Sequence, residues 1–255
     1  MERIENSIII SYHEDTDERR NNLRRLLFYL LELINDKIEI VLVEQGIMGK
    51  SNWIPQSNQI NHIFIQNRKI FNKGLGYNTG AKNAKGERLI FNDCDVFLKK
   101  ESYLSSLEIL DNVDVVNPYD VIYFLTKEES EKFINNGYDF NIIKSSDKNI
   151  TSCVISGGVF MIKKEKFMDI GGFDEDCYGY AHEDDIVDVK IEKLNLNVEN
   201  IKDTAIHIYH KLNKSIYNKY YIRKNENKEL FKMYKEMTID EIKEKIKKTT
   251  QWNGI

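Results

Sequence analysis

Residues 88–97 read RLIFNDCDVF, an apolar segment that runs directly into two aspartates. The part from Arg88 to Asn92 predicts a buried strand, because a strand covered on both faces is apolar along its length. Asp93 and Asp95 follow, and residues i and i+2 of an extended chain point to the same side. We therefore expect both carboxylates to face one ligand, with a solvated turn as the alternative. Such oxygen ligands suit Mn²⁺ or Mg²⁺, which can neutralise a diphosphate.

The chain before this segment alternates strands with helices. Apolar runs predict strands at residues 7–12, 38–43 and 60–66, and helical spacing or glycine-terminated composition predicts helices at 15–34 and 72–85. This alternation predicts an α/β fold with a mainly parallel, Rossmann-like sheet whose ligands bind at the carboxyl ends of the strands. Ser11, Tyr12 and Glu44 end two of these strands, so we expect them beside the aspartates.

The second half has a less regular pattern. It predicts helices at residues 101–110 and 183–194, strands at 113–117 and 155–162, a charged helical stretch from Val121 to Gly137 and a helical tail from Tyr220 to Lys248. Gly157 and Gly158 interrupt the second of these strands. Glycine inside a strand permits close backbone approach, so we expect this strand to pass close to a ligand.

Two of the five histidines, His207 and His210, lie three residues apart. In a turn or a helix this spacing can direct two imidazoles toward one metal ion. A pair of histidines on the surface or satisfied in the core is the alternative. Together with aspartates supplied from elsewhere in the fold, at least one histidine becomes a credible metal ligand.

A third constellation precedes the helix predicted at residues 183–194. Tyr178, Gly179 and Tyr180 are followed by Glu183, Asp184 and Asp185. One acid would serve as a helix cap that complements the helix dipole. Three acids flanked by two tyrosines are better suited to stacking a sugar ring and removing a hydroxyl proton.

These segments carry a resemblance to a known family. Residues 157–185, with the pairs Gly157-Gly158 and Gly171-Gly172 and the acids Glu183-Asp184-Asp185, resemble the carboxyl-terminal motif of β-1,4-galactosyltransferases and related bacterial family 2 glycosyltransferases. Residues 71–73 and the aspartate pair resemble donor-site segments of the same family. The likeness covers roughly residues 7 to 212.

The resemblance implies a GT-A fold, a nucleotide sugar held through Mn²⁺ (or Mg²⁺), and inversion at the anomeric carbon. It assigns Asp95 and His210 to the metal, with His207 at a position where the galactosyltransferases use a methionine ligand. It assigns Asp184 as the catalytic base and Glu183 as its acidic neighbour. The expected nucleotide-sugar contacts are Ser11, Tyr12, Glu44, Asn72, Lys73, Asp93 and Gly158, and the expected acceptor contacts are Tyr180 and Asp185.

Charge and cysteine content exclude several classes. The net charge of −4 gives no basic footprint, so nucleic acid is not an expected partner. Three cysteines without close CxxC spacing indicate neither a disulfide framework nor a zinc ribbon, which fits a reducing cytoplasm. No stretch reaches the roughly 18 apolar residues of a membrane span. We expect neither the disulfides nor the membrane anchor of the family's extracellular members, which favours its bacterial branch.

We expect a catalytic domain at residues 1–212, with a donor half to about residue 100, an acceptor half after it, and a helical extension at 213–255. The extension has lysines among Ile239, Ile242 and Ile246, typical of an amphipathic helix. Such a helix can pack on its own domain, the favoured interpretation. It can also bind a partner subunit or, peripherally, the inner face of an anionic membrane.

The predicted function is transfer of a sugar, Gal, GalNAc or GlcNAc, from a UDP-sugar to a hydroxyl of a glycan acceptor. One alternative is another nucleotide-sugar enzyme, such as a pyrophosphorylase. The acidic segment Ser11 to Asp15 argues against it, because a glycine-rich basic phosphate loop is expected there. The other alternative is a catalytically silent carbohydrate-binding protein of the same fold.

Overall fold

A computed structural model describes residues 3–33, 35–49, 51–142, 148–150, 155, 157–179, 181–211 and 223–248. The strands are β1 (Asn6–His13), β2 (Ile38–Gly46), β3 (Ile60–Gln66), β4 (Arg88–Asn92), β5 (Val96–Leu98), β6 (Val115–Asn117), β7 (Val121–Phe124), β8 (Lys148–Ile150), β9 (Val159–Lys163), β10 (Val198–Asn200) and β11 (Thr204–His207). The helices are α1 (Asp17–Leu33), α2 (Lys73–Asn83), α3 (Lys100–Leu110), α4 (Lys127–Asn135), α5 (Lys164–Asp169), α6 (Glu183–Lys193), α7 (Lys224–Glu236) and α8 (Ile239–Lys248).

The larger sheet has seven strands in the order β10-β6-β9-β4-β1-β2-β3. Its neighbours are parallel except at β9, which runs antiparallel to both β4 and β6. This confirms the predicted α/β fold with a mainly parallel sheet. The carboxyl ends of β1, β2 and β4 lie at one edge, and the candidate site is built there.

Helices cover both faces of this sheet because its central strands are apolar on both sides. Ile8 and Ile10 of β1 belong to one core cluster with the leucines of α1, whereas Ile9 belongs to a second cluster with Tyr77 and Ala81 of α2. All three isoleucines are buried. Alternate residues of β1 thus anchor the two helical layers, which fixes where the strand ends relative to α1 and α2.

A second sheet of four short strands has the order β5-β11-β7-β8. β11 pairs antiparallel with β5 and parallel with β7. β5 begins immediately after the aspartates, so this small sheet carries the chain from the end of β4 toward His207. The sequence pattern predicted neither β5 nor β11, because runs of three and four residues are too short to show periodicity.

The charged segment from Val121 to Gly137 is not one helix, contrary to the sequence prediction. Its first part is β7, and α4 begins only at Lys127. Thr126 accepts a hydrogen bond from the Glu129 amide, and the Glu129 carboxylate accepts one from the Thr126 amide. This reciprocal cap determines where the helix begins.

Two other predicted boundaries also differ. The strand predicted from Ile155 begins at Val159, because Gly157 and Gly158 have φ of +70° and +102°, outside the strand region. The helical tail is two helices rather than one. Met237 ends α7 in an extended conformation, and Thr238 caps α8 by accepting a hydrogen bond from the Glu241 amide. Residues 220–222 of the predicted tail lie outside the described residues.

The tail helices pack on the body of the protein. Tyr234 of α7 and Ile242 of α8 are buried in a small apolar cluster with Cys177 and with Ile186 and Val189 of α6. In the described part of the chain no helix combines the length and apolarity needed to cross a membrane.

Candidate active site

Asp95 and two histidines form a compact group of potential metal ligands. His207 Nε2 lies 3.5 Å from Asp95 Oδ1, and His210 Nε2 lies 3.4 Å from Asp95 Oδ2. The candidate ligand atoms of the three residues all lie within 4.8 Å of one another. Among the residues that the structure describes, no other group of three such side chains is this close.

Strand pairing brings these three residues together. β5 follows Asp95 directly, and its register with β11 places Val96 opposite His207. The Ile208 amide donates a 3.0 Å hydrogen bond to the Asp95 carbonyl, which ties the two segments together. His207 is the last residue of β11 and His210 lies just beyond it, so the histidine spacing acts at a strand end and not in a turn or helix.

The electrostatics keep Asp95 and His210 in the form that binds a cation. Burial alone would raise the pKa of Asp95, but the neighbouring His207, Arg19 and His210 hold the pKa of this carboxyl at about 2. Burial also lowers the pKa of the His210 imidazole. An ionised carboxylate and a neutral imidazole are the protonation states that a metal ion requires of its ligands.

The chain turns between the two aspartates instead of running extended. The Val96 amide donates to the Asp93 carbonyl at 3.3 Å, which closes the turn. Asp93 therefore contacts Lys73 and Tyr77, while Asp95 contacts the histidines. The extended conformation predicted for Asp93 and Asp95 from their i, i+2 spacing is thus wrong, although both residues lie at the predicted edge of the sheet.

Lys73 links two carboxylates that are far apart in the sequence. Its Nζ atom lies 3.1 Å from Asp93 Oδ1 and 3.2 Å from Asp184 Oδ2. Tyr77, one helical turn along α2, donates a 2.7 Å hydrogen bond to Asp93. Burial opposes the charge on Lys73, but Asp184, Asp93 and then Glu183 raise the pKa of this ammonium well above its usual range. The lysine is therefore a permanent cation at the centre of an acidic cluster.

The first turn of α6 presents the other acids of the cluster. Burial, followed by the charge of Asp184, raises the pKa of Glu183 to about 7. Burial also raises the pKa of Asp184, although Lys73 opposes this. Carboxyl groups with pKa values moved toward neutrality are typical of acid–base sites.

Two glycines let the backbone before β9 approach these acids. A side chain at Gly157 would place its Cβ 2.9 Å from Asp184 Oδ2, and one at Gly158 would place its Cβ 2.6 Å from the Tyr119 hydroxyl. The Asp93 amide donates a 2.7 Å hydrogen bond to the Gly158 carbonyl, and the Tyr119 hydroxyl donates to the Gly157 carbonyl. The glycine pair thus lies between Asp93, which hydrogen bonds to Gly158, and Asp184, which lies close to Gly157.

Of the two predicted acceptor residues, only Asp185 lies within the described part of the chain. Asp185 Oδ2 lies 2.7 Å from His182 Nδ1. Adjacent helical side chains point about 100° apart, so Asp185 points away from Asp184, the carboxylate that contacts Lys73. Tyr180 lies outside the described residues. Both roles stay predictions.

Four predicted nucleotide-sugar contacts are buried or hydrogen bonded within the protein. Ser11, Tyr12 and Glu44 are buried, and the Glu44 carboxylate lies 2.9 Å from His62 Nε2. Asn72 caps α2 by accepting from the Leu75 amide at 2.9 Å. These side chains shape the edge of the sheet, and their direct contact with a nucleotide stays a prediction.

Three site residues were missed from the sequence. Tyr77 and Tyr119 hydrogen bond to the acidic cluster and the glycine pair, and Arg19 donates to Cys94 Sγ at 3.3 Å beside Asp95. Tyr77 could have been found, because it follows Lys73 by four residues on one helix face. Arg19 also follows an acid by four residues, Asp15, with which it pairs at 3.7 Å, although Asp15 lies just before α1. No local pattern marks Tyr119.

Solved structures with the same fold support the architecture. The chain is similar to the catalytic domain of Drosophila β-1,4-galactosyltransferase 7 in complex with xylobiose, with a TM-score of 0.55, 16% identity and coverage of 92% of this chain and 82% of that chain. A mutant of that enzyme in complex with manganese, UDP-Gal and xylobiose gives a TM-score of 0.53, 16% identity and coverage of 81% and 72%.

A bacterial structure has the same fold. Staphylococcus aureus TarS 1–349 in complex with UDP-GlcNAc gives a TM-score of 0.55 at 14% identity, and the match covers 82% of this chain but only 60% of that one. No curated protein sequence matches the chain significantly. At these identities the structural likeness establishes the GT-A fold alone.

The family follows from the sequence itself. The profile described as glycosyltransferase like family 2 matches residues 7–225, most of the chain, and spans both acidic motifs and the histidine pair. This match confirms the predicted resemblance, and with it an enzyme of the sugar-transferring class. The chain belongs to the glycosyltransferase-like family 2.

Proposed function

We propose that this protein transfers a sugar from a UDP-sugar to a hydroxyl group of a glycan acceptor, with inversion at the anomeric carbon and dependence on a divalent metal ion. The observation that carries the proposal is one sheet edge at which the Asp95–His207–His210 group adjoins the Lys73-linked carboxylates Asp93 and Asp184. The first group suits a cation and the second suits proton removal next to a bound diphosphate.

The metal ligands would be Asp95, His207 and His210. Two imidazole nitrogens with one carboxylate suit a transition ion such as Mn²⁺ better than Mg²⁺, which prefers oxygen ligands. When bound, the ion would neutralise charge on the departing nucleoside diphosphate. The manganese in the Drosophila complex supports this choice of ion.

Asp184 is the proposed general base. It would remove the proton of the acceptor hydroxyl while that oxygen attacks C1 of the donor sugar, so that one C–O bond forms as the bond to the diphosphate breaks. The single displacement inverts the anomeric configuration and needs no covalent intermediate. Lys73, whose Nζ atom lies 3.2 Å from Asp184 Oδ2, would supply positive charge to the diphosphate.

Glu183 and the remaining contacts complete the proposed site. With a pKa of about 7, Glu183 is part protonated near neutral pH and can donate or accept a hydrogen bond to the acceptor. Asp93, Gly158 and Asn72 would border the donor, and Asp185 and Tyr180 the acceptor. The proposed sugars are Gal, GalNAc and GlcNAc, and the UDP-Gal and UDP-GlcNAc complexes of similar folds support the first and the last of them.

The test is release of UDP from a panel of UDP-sugars, measured with and without Mn²⁺. We expect Mn²⁺-dependent release from at least one of them, stimulated by a glycan acceptor. Product formation that requires a sugar 1-phosphate and a nucleoside triphosphate would instead indicate a pyrophosphorylase. Binding of UDP-sugars, seen as thermal stabilisation, without release under any condition would indicate a silent binding protein.

A further inference from the structure

The turn that leads into α6 has an unfavourable backbone conformation. Ala181 and His182 have φ of +76° and +73°, two consecutive non-glycine residues in the left-handed region. Side chains disfavour this conformation, which persists only where surrounding contacts enforce it. The next two residues are Glu183 and Asp184, so the strained turn directly determines where the proposed base points.

Asn227 of α7 holds the carbonyl groups of this turn. It is buried, and its Nδ2 group donates hydrogen bonds of 3.1 Å to both the Tyr178 and the Ala181 carbonyls. One amide group therefore ties together the two ends of the turn. Removal of the Asn227 amide would leave both carbonyls without these donors, and a lost hydrogen bond costs free energy.

Phe231, one helical turn further along α7, supports the other strained residue. Its ring stacks on the His182 imidazole with centroids 5.0 Å apart and planes 8° apart. The same imidazole lies 2.7 Å from the Asp185 carboxylate. Phe231 thus fixes the ring that pairs with the first turn of α6.

The remaining contacts of α7 continue along one side of the helix. The Arg223 guanidinium lies 4.4 Å from the centroid of the Tyr178 ring, and the Tyr234 hydroxyl donates a 2.7 Å hydrogen bond to Asp174. Residues 223, 227, 231 and 234 have the spacing of a single helix face. This face therefore contacts the acceptor-side loop from Asp174 to His182 at both of its ends.

We propose that α7 is a clamp for the catalytic turn, in which Asn227 and Phe231 are positioning residues that act on Asp184 through Ala181 and His182. The inference rests on the proposed function of Asp184. Both clamp residues lie beyond residue 225, where the family match ends, so the match itself does not include them. The extension thereby becomes part of the catalytic machinery.

The experiment uses the full chain with Asn227→Ala and, as a second variant, Phe231→Leu. Turnover is measured as Mn²⁺-dependent UDP release from a UDP-sugar that the wild type accepts, and donor affinity as the Kd for UDP with Mn²⁺. A displaced catalytic group costs up to about 10²-fold in rate, so we expect kcat to fall about 10- to 100-fold with a nearly unchanged Kd. Hydrogen exchange at the Gly179 and Ile186 amides should also accelerate, because the former bonds to Phe71 and the latter to His182.

Asn225→Ala is the matched control, an asparagine of the same helix whose side chain is exposed. It should leave rate, affinity and exchange as in the wild type. Loss of thermal stability in Asn227→Ala with unchanged kcat and unchanged exchange would reduce α7 to a packing element and overturn the clamp. If Asn227→Ala does not fold, Phe231→Leu decides by the same criteria. If the wild type releases no UDP, the proposed function fails, and the exchange comparison alone decides whether α7 holds the turn.

Discussion

Asp184 and Asp185 are neighbours on α6 with different partners, and this difference favours Asp184 as the proposed base. Asp184 faces Lys73 at 3.2 Å, whereas Asp185 pairs with His182. Asp184→Asn keeps the shape of the side chain but cannot take a proton, so kcat should fall by about 10²–10⁴-fold. The Kd for UDP with Mn²⁺ should stay nearly unchanged. Steady-state rates and calorimetric titration of each variant measure the two quantities.

Asp185→Asn is the matched comparison, because adjacent helical side chains point about 100° apart. We expect a milder loss of turnover there. An inactive Asp185→Asn beside an active Asp184→Asn would transfer the role of base to Asp185. Loss of UDP binding in Asp184→Asn would instead make that carboxylate part of the donor site.

Glu183 should reduce the stability of the folded protein at alkaline pH. Its pKa is raised from 4.5 to about 7, chiefly by burial and then by Asp184. A carboxyl group that binds its proton more tightly in the folded state makes that state less stable as pH rises from about 4.5 through about 7. Glu183→Gln imitates the protonated form. It should therefore stabilise the protein at about pH 8 by about 1–3 kcal/mol and have little effect at about pH 5.

Thermal unfolding at the two pH values measures this effect, with Glu192→Gln, at an exposed position of the same helix, as the control. The control should show no comparable dependence on pH. Destabilisation by Glu183→Gln at alkaline pH would mean that the ionised carboxylate has a stabilising partner, which contradicts the direction of the pKa shift.

The individual residues of the candidate metal site were more predictable than their contacts. Asp95, His207 and His210 were identified from type, spacing and position after a buried strand. Their meeting depends on the β5–β11 register, which no local pattern encodes. The contacts of Lys73 with Asp93 and Asp184 were equally unpredictable from local sequence, because these acids lie 20 and 111 positions away from the lysine. Such contacts come from the tertiary fold.

The β5–β11 pair should control metal binding, because the proposed ligands Asp95 and His207 lie where these two strands pair, Asp95 just before β5 and His207 at the end of β11. Asp95→Ala and His210→Ala should each weaken Mn²⁺-dependent UDP binding by more than about 10-fold. Even the loss of a residue that only hydrogen bonds to a metal ligand typically lowers metal affinity by about 10–100-fold. His207→Ala should have a smaller or similar effect. Titration of UDP at increasing Mn²⁺ measures these changes.

His62→Ala provides the control, a histidine on β3 whose contact is Glu44. Its Mn²⁺ dependence should match that of the wild type. Unchanged Mn²⁺ dependence in both Asp95→Ala and His210→Ala would reject the ligand assignment.

Long apolar or periodic segments were predicted well, and short strands were not. β1, β2, β4, α1 and α6 each match a continuous or periodic pattern. The sequence pattern placed β7 inside a predicted helix, because the charged residues after β7 have a helical pattern. The Thr126–Glu129 cap marks the actual start of the helix. Strands of three or four residues depend on their partners, so their own sequence contains too little information.

The extension packs as part of the protein and not as a free amphipathic helix. In α8, Ile242 is buried and Ile246 contacts the backbone at Gly171, while Lys245 pairs with Asp174 at 3.3 Å. Ile242 and Ile246, two of the three isoleucines that a membrane-binding face would use, thus pack against the body of the protein. This arrangement favours the interpretation in which the tail docks on its own domain.

We therefore expect no binding of the full chain to anionic liposomes that depends on the tail. Co-sedimentation at low and high salt measures this, since binding through the exposed lysines of α8 would weaken as salt rises. Salt-sensitive binding that is lost when Lys243, Lys247 and Lys248 are replaced by glutamine would show that the tail contacts a membrane.

If the tail and the body share one core, they should unfold together, and two isoleucines of α8 test this. Ile242 is fully buried, whereas Ile239 is 41% exposed in the same helix. Ile242→Asp removes an apolar side chain from the core and buries a charge, so it should cost at least about 2–5 kcal/mol, the range for truncating a buried isoleucine. Ile239→Asp should change stability by less than about 0.5 kcal/mol, as expected for a surface substitution. Thermal unfolding should remain a single transition that moves to lower temperature only in Ile242→Asp. Two separate transitions in the wild type, or equal effects of the two substitutions, would mean that α8 folds apart from the body, and the clamp formed by α7 would then lose its support.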